Sequence, residues 1–301
     1  MKKLISAVLI ICLMFALCGC MYMEDHFTMN ADGSGSLYSY VLIEKETYDG
    51  LMGILGEPET EDDAELSVKK VDGVEYYEME SSQEFSNPKE LKSILSDSYE
   101  DVRVSKNTIA FRIAADEESM DGMSYEELKA VYMEQGIDID SALEGYMVFH
   151  MPAPIAATTG ELYEDDSTVI YYVNMQTACE GMEVFVTTSE AEAKNEAIRK
   201  GIENTSIKLS TSLTSNGKIK LSWKKAAGYK VDYYEVYRST KKNSGYGKTP
   251  VFTTRSGSKT TYINTSVKSG TRYYYKVRGV RMVDGKKVYT PYSNIGYRKA
   301  R

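Results

Sequence analysis

The sequence predicts two unlike folded units, an α+β unit of mixed, mostly antiparallel strands followed by an all-β sandwich. Charge is the first observation: residues 21–204 hold 41 Asp/Glu against 12 Lys/Arg, whereas residues 205–301 hold 3 against 22, within an overall net charge of −8. The second is period: from Ser206 onward apolar and polar residues alternate with period two and no helical repeat, while the earlier half mixes hairpin signals with helix caps. The third is composition. With 42% hydrophobic and 27% charged residues, each unit has enough apolar side chains for its own core.

The chain opens with Lys2 and Lys3, an apolar run from Leu4 to Ala16, and then Leu17-Cys18-Gly19-Cys20. Two positive charges before a short apolar stretch with small residues at its end make a secretory signal. The run falls well short of the ~20 residues that a membrane-spanning helix needs. A Cys directly after Leu-x-Gly resembles the lipobox of bacterial lipoproteins. The resemblance implies removal of residues 1–19 and acylation of Cys20, and so a membrane anchor on the extracytoplasmic face, at the cell surface. Two acyl chains suffice for stable anchoring. Cys12 and Cys18 leave with the signal, so Cys179 is the only other thiol and no intramolecular disulfide is expected.

In residues 20–188, Phe27-Thr28-Met29 and Leu37–Ile43 flank Asn30-Ala31-Asp32-Gly33-Ser34-Gly35 and predict a hairpin. Asp72-Gly73 predicts a second, between Leu66–Val71 and Val74–Met79. A third pairs Val102–Val104 with Ile109, Phe111 and Ile113 across Lys106-Asn107. Asn87-Pro88-Lys89-Glu90 starts a helix, and Ser124-Tyr125-Glu126-Glu127 is a capping box. Asn30-x-Asp32-x-Ser34-Gly35 begins like a calcium loop, but Val41 stands where a bidentate Glu is required, and the run lacks the Gly-Lys-Ser/Thr of a phosphate loop. The acidic stretches Glu57–Glu65 and Glu164-Asp165-Asp166 read as solvated loops.

His26 and His150 are the only histidines, and neither has a ligand partner at metal-binding spacing, so zinc hydrolysis and His-based triads are poor readings and no cofactor or metal is expected. His150 reads as a strand residue satisfied by a local hydrogen bond, and Cys179 as a buried thiol. Met147, Phe149, Met151 and Ile155 build either a core or an apolar groove, and the groove makes them the candidate binding residues. The order of lipid Cys, Asp32-Gly33-Ser34-Gly35 hairpin, helices, a strand ending in Met151-Pro152 and a hairpin around Asp166–Tyr171 resembles the LppM-type domain of bacterial lipoproteins. It departs from that pattern at Thr159-Gly160 and Tyr171. The resemblance implies a surface-exposed, non-enzymatic binding domain.

Ser189 and Glu192 open an Ala-rich helix that reads as a linker over 189–204. Beyond it, Ile219, Leu221 and Trp223 alternate with Lys220 and Ser222. Tyr234 and Val236 stand beside Glu235 and Tyr237, and Tyr273, Tyr275 and Val277 beside Tyr274, Lys276 and Arg278. Asn216-Gly217, Ser256-Gly257-Ser258, Ser269-Gly270 and Asp284-Gly285 supply turns. Leu221-Ser222-Trp223, Tyr234–Tyr237, Ser269–Val277 and Tyr292-Ser293 are similar in order and spacing to a fibronectin type III domain over 205–301. The resemblance implies an immunoglobulin-like sandwich cored by Leu221, Trp223, Tyr234, Val236, Tyr273, Tyr275 and Val277, with Tyr273 as the corner tyrosine whose hydroxyl returns to backbone upstream. It also implies a spacer or binding module without catalysis.

The expectation is therefore a lipid-anchored cell-surface lipoprotein whose first unit binds an envelope or extracellular ligand. The basic sandwich spaces it, or docks on an anionic wall polymer or on the chain's own acidic domain. Nucleic acid is not an expected partner, because the tyrosines sit at strand spacing. The alternative is a hydrolase acting on cell-wall glycan through two carboxylates, which requires a cleft with two facing, partly buried acids.

Overall fold

A computed structural model describes residues 21–55, 67–115, 123–134, 138–226 and 229–301; residues 1–20, with the expected signal and Cys20, and the acidic stretch 57–65 lie outside the described residues. Strand predominates over helix, and the chain divides into two compact units, one ending at Glu190 and the other running Ala191–Arg301.

In the first unit β1 (Met21–Met29) and β2 (Gly35–Glu44) form a hairpin, followed by helix α1 (Lys45–Leu55). Strands β3 (Ser67–Val71) and β4 (Val74–Phe85) meet at Asp72 and Gly73, whose φ values of 47° and 91° give the left-handed pair that a tight hairpin turn needs. Helix α2 (Pro88–Ser96) begins where the Asn87 side chain accepts the N–H groups of Lys89 and Glu90. Then come β5 (Glu100–Ser105), β6 (Thr108–Ile113), α3 (Tyr125–Glu134), β7 (Leu143–His150), β8 (Ala157–Thr158), β9 (Glu161–Leu162), β10 (Thr168–Asn174), α4 (Met175–Glu180) and β11 (Met182–Thr187).

One sheet runs β3-β4-β2-β1-β7-β10-β9 and the other β5-β6-β11-β8. All pairings are antiparallel except β1 with β7, which run parallel and join residues more than a hundred positions apart. The core gathers inward side chains of both sheets. Phe27 stacks on Phe149 at 4.5 Å, and Phe111 from the second sheet lies 6.3 Å from each.

All but the first residue of helix α5 (Glu190–Glu203) belongs to the second unit. It is more than a linker. Ile202 is fully buried in the sandwich core and Ile198, one turn earlier, packs against it, while Asn195 and Arg199 bond Asp284. Two apolar residues at i and i+4 give the helix an edge that the sandwich covers.

The sandwich pairs β12 (Leu209–Leu213), β13 (Ile219–Trp223) and β16 (Thr261–Asn264) in one sheet. The other holds β15 (Phe252–Thr253), β14 (Tyr233–Ser239), β17 (Arg272–Val283) and β18 (Lys286–Tyr289), with β19 (Gly296–Lys299) on β17. Leu221, Trp223, Tyr234, Val236, Tyr273, Tyr275 and Val277 all lie in its core. The Tyr273 hydroxyl accepts the backbone N–H of Lys268, five residues upstream, at 3.1 Å.

The outer face of β14 and β17 departs from the alternation expected of a wet surface. Glu235 and Tyr237 are buried there, because Arg278 and a layer of tyrosines close over them.

Candidate functional site

Strand β1 alternates Met21, Met23, Asp25, Phe27 and Met29 on its inward face, and the four apolar members are buried. Asp25 interrupts the stripe. Its cross-strand neighbour on β2 is Ser39, itself opposite Ser81 on β4, so a short polar row crosses the inner face of the sheet. The Ser39 hydroxyl donates to Asp25 Oδ1 at 2.5 Å. Over this row lies a cavity of about 50 Å³, walled by Phe27, Leu37, Ile94, Leu95 and Tyr99, with Asp97 just past the C-terminus of α2. A single water needs about 10–15 Å³ on this measure, so the cavity admits only a few heavy atoms.

Burial among these apolar walls pushes the Asp25 carboxyl up to about 6, against the opposing pull of the Ser39 hydrogen bond and of His26 nearby. Near pH 6 the group is therefore divided between a neutral form that donates a hydrogen bond and an anion that pairs with a cation. The cavity lining contains no Lys or Arg, its basic residue being His26 at the rim, and the C-terminal end of α2 carries partial negative charge. The arrangement suits an apolar group that brings one donor or one positive charge.

On the opposite face of the same strands His26 and His150 lie together. The parallel β1–β7 pairing stacks their rings at 5.4 Å and 9°, with His26 Nδ1 and His150 Nε2 3.1 Å apart. His26 Nε2 lies 2.7 Å from Glu24 Oε1, so it carries a proton that the carboxylate accepts. Burial pushes Glu24 up, but hydrogen bonds from His26 and Tyr22 outweigh it and hold the carboxyl below its usual range. His150 Nδ1 is 3.3 Å from Thr168 Oγ1, and that hydroxyl donates to Asp165 at 2.8 Å. Burial, reinforced by His26, keeps His150 below the ordinary histidine value.

Of the candidate binding residues, Met147, Phe149 and Met151 are 1%, 0% and 6% exposed, and Ile155 packs half-buried against the same core. They are interior, and the groove reading is corrected: the alternation of β7 turns Phe149 toward Phe27 and Tyr171, and Met147 into the same core, rather than toward solvent. The Asn30–Gly35 loop spends its oxygens internally, Asp32 Oδ1 accepting both the N–H and the hydroxyl of Ser34, and Val41 is buried in β2. Cys179 on α4 packs half-buried against the core. Asp165 accepts the N–H groups of Ser167 and Thr168 and so shapes its turn.

Among the described residues no group of three or more His, Cys, Asp or Glu is arranged for a metal ion, and no helix is long and apolar enough to cross a membrane. Asp25 was missed in the sequence although a signal existed: Met-x-Met-x-Asp-x-Phe-x-Met sets a carboxyl on an apolar stripe.

No family model matches the chain, and no curated protein matches it. Among solved structures it is similar in part to an Fn3-like protein from Clostridium thermocellum, at 33% identity over 31% of this chain and 88% of that one, with a TM-score of 0.26. It is also similar to the folded domain of the LppM protein of Mycobacterium tuberculosis, at 13% identity over 56% of this chain and 90% of that one, TM-score 0.31. A third likeness is to pectate lyase Pel3 from Pectobacterium carotovorum, at 24% identity, 32% of this chain, 27% of that one and TM-score 0.26.

Proposed function

We propose that this chain is a non-enzymatic, lipid-anchored bacterial lipoprotein of the cell surface. Its LppM-like α+β unit binds an envelope or extracellular ligand, and its fibronectin type III sandwich spaces that unit or docks it on an anionic partner. The observation that carries the binding role is a single one: a carboxyl, Asp25, in an apolar cavity under α2. The ligand inserts a narrow apolar tip and brings a hydrogen-bond donor or a positive charge to Asp25. The anchor rests on Leu17-Cys18-Gly19-Cys20, and mass spectrometry of native material is expected to find Cys20 acylated. Met1 retained and a bare thiol would remove the localisation.

Asp25 and Asp97 both line the cavity, and a carboxylate hydrolase needs two acids facing one sugar. Size argues against it. Room for about four water-sized groups does not admit a sugar ring with its substituents. The binding reading is tested by titrating the protein with butylammonium and, separately, butanol at pH 5 and pH 7.5. Butylammonium is expected to bind more tightly at the higher pH, where Asp25 is ionised, and Asp25→Asn to abolish that difference. Binding that ignores both pH and the substitution would refute it.

A further inference from the structure

The outer face of the large sheet carries a second arrangement, which the cavity does not use. Glu24 on β1 stands directly between Tyr40 on β2 and Tyr146 on β7, Tyr172 on β10 continues the row, and Tyr22 lies one outward position along β1. The rings touch at steep angles. Tyr22 meets Tyr146 at 6.0 Å and 54°, and Tyr146 meets Tyr172 at 5.4 Å and 67°. Inclined rings make walls, not the flat platform on which a sugar or a base would stack.

The polar groups there are largely occupied. The Tyr22 hydroxyl donates to Glu24 at 2.9 Å and that of Tyr146 to Glu144 at 2.7 Å, while the other Glu24 oxygen takes His26. What the site still offers is negative charge and ring faces. Among the described residues no Lys or Arg sits over Tyr22, Tyr146 or Tyr172, although Lys69 covers the neighbouring Tyr40 at 5.3 Å. Tyr172 is 53% exposed, so the row opens to solvent.

We propose that Tyr22, Tyr146 and Tyr172, with Glu24 and Glu144, bind a small, singly charged methylated ammonium ion of the choline type. A cation without N–H groups needs no unspent acceptor. It gains from ring quadrupoles and from carboxylates held just behind them. The same carboxylates reject a ligand that carries phosphate or carboxylate beside its ammonium, so the occupant is the free cation and not a zwitterionic lipid headgroup.

The test titrates the full chain with tetramethylammonium chloride and choline chloride against sodium chloride of equal ionic strength, following tyrosine ring resonances. Saturable binding is expected for both cations, with phosphocholine and phosphatidylcholine vesicles bound at least tenfold more weakly. Removing one ring of the row, as in Tyr172→Ala, is expected to weaken tetramethylammonium about tenfold. Tyr172→Phe should retain it, and Asp25→Asn should leave it unchanged, which separates this site from the cavity. No saturation beyond the sodium control, equal binding of phosphocholine, or an unaltered Tyr172→Ala variant would overturn the proposal. Because Tyr172 is largely exposed, that variant keeps the fold, and its tertiary circular dichroism verifies this.

Discussion

In the sandwich, Lys276 lies 3.6 Å from the ring centre of Tyr292 and Arg278 3.7 Å from that of Tyr289, and Arg272 covers Tyr297 at 5.6 Å. In the N-terminal unit the rings of Tyr22, Tyr146 and Tyr172 lean on one another, and two of the three give their hydroxyls to carboxylates. Both faces gather tyrosines from neighbouring segments of a sheet. They differ in whether the chain itself supplies the cation. Residues 205–301, with 22 Lys/Arg, complete these rings from within, and there the aromatic layer is structural. Residues 21–204, with 12 against 41 carboxylates, leave Tyr22, Tyr146 and Tyr172 to a cation from outside, although Lys45 and Lys69 cover Tyr77 and Tyr40. Ring content alone does not separate a packing surface from a binding surface; the sign of the nearest charge does.

The comparison breaks most visibly at Arg278. Its guanidinium donates twice to Glu235, at 2.9 and 3.0 Å, and once to Tyr237, and the Glu235 side chain is 4% exposed. Burial pushes Glu235 up, but the Tyr237 and Arg278 bonds overcome this and hold it below its usual range. Removing the partner of a buried charge costs about 3–5 kcal/mol. Arg278→Ala is expected near the lower end, since Lys287 lies 3.4 Å from the other Glu235 oxygen. The fluorescence of Trp223, the chain's single tryptophan and part of the sandwich core, reports this unit alone during urea unfolding. A loss below 1 kcal/mol would mean that this aromatic layer is decoration.

Asp25 gives the contrasting case, a carboxyl whose burial outweighs the Ser39 hydrogen bond and the pull of His26 and which no Lys or Arg faces in its cavity. Its pKa rises from 3.8 unfolded to about 6 folded, so the native state binds more protons than the unfolded chain between these values. Stability of the first unit therefore falls as pH rises from about 4 to 6 and stays low above. The shift corresponds to about 2–3 kcal/mol. Asp25→Asn is expected to recover about that amount at pH 8 and almost nothing at pH 4, measured by calorimetry of the N-terminal transition. His150 works in the other direction. Its depressed folded pKa removes stability as pH falls below the ordinary histidine value, so the double variant with His150→Asn should show a flatter pH profile than either single change.

Short-range features were legible in the sequence because their causes are local. Asp72-Gly73 specifies its turn through two positive φ angles, and Asn87 and Ser124 reach backbone groups or a Glu within three residues. Trp223 and the tyrosines of the sandwich followed from period two. The candidate site depended on long-range pairing. The parallel alignment of β1 with β7 brings His26 to His150 and Glu24 to Tyr146, and no local pattern encodes which strand becomes the neighbour. Period two also misjudged the outer face of the sandwich, since alternation tells which way a side chain points and not what closes over it. Asp25 stood in plain alternation with four apolar residues, but a hairpin traced only from Phe27 leaves it out.

The smallest effect is the most diagnostic for the opposite face. Tyr172 is 53% exposed and touches mainly Tyr146, so its ring contributes little to the fold, and Tyr172→Ala is expected to change stability by less than about 0.5 kcal/mol. Tyr292 in the sandwich is 40% exposed, comparably open, yet its ring receives Lys276 and lies edge-on to Tyr237 at 5.5 Å. Tyr292→Ala should therefore cost more, about 1 kcal/mol from the cation and ring contacts together. The pair of thermal melts compares two tyrosines of similar exposure that differ in whether the chain covers them. Equal losses would show that exposure alone sets the cost of removing a ring. A larger loss at Tyr292 would show that a cation already in place converts a binding surface into part of the fold.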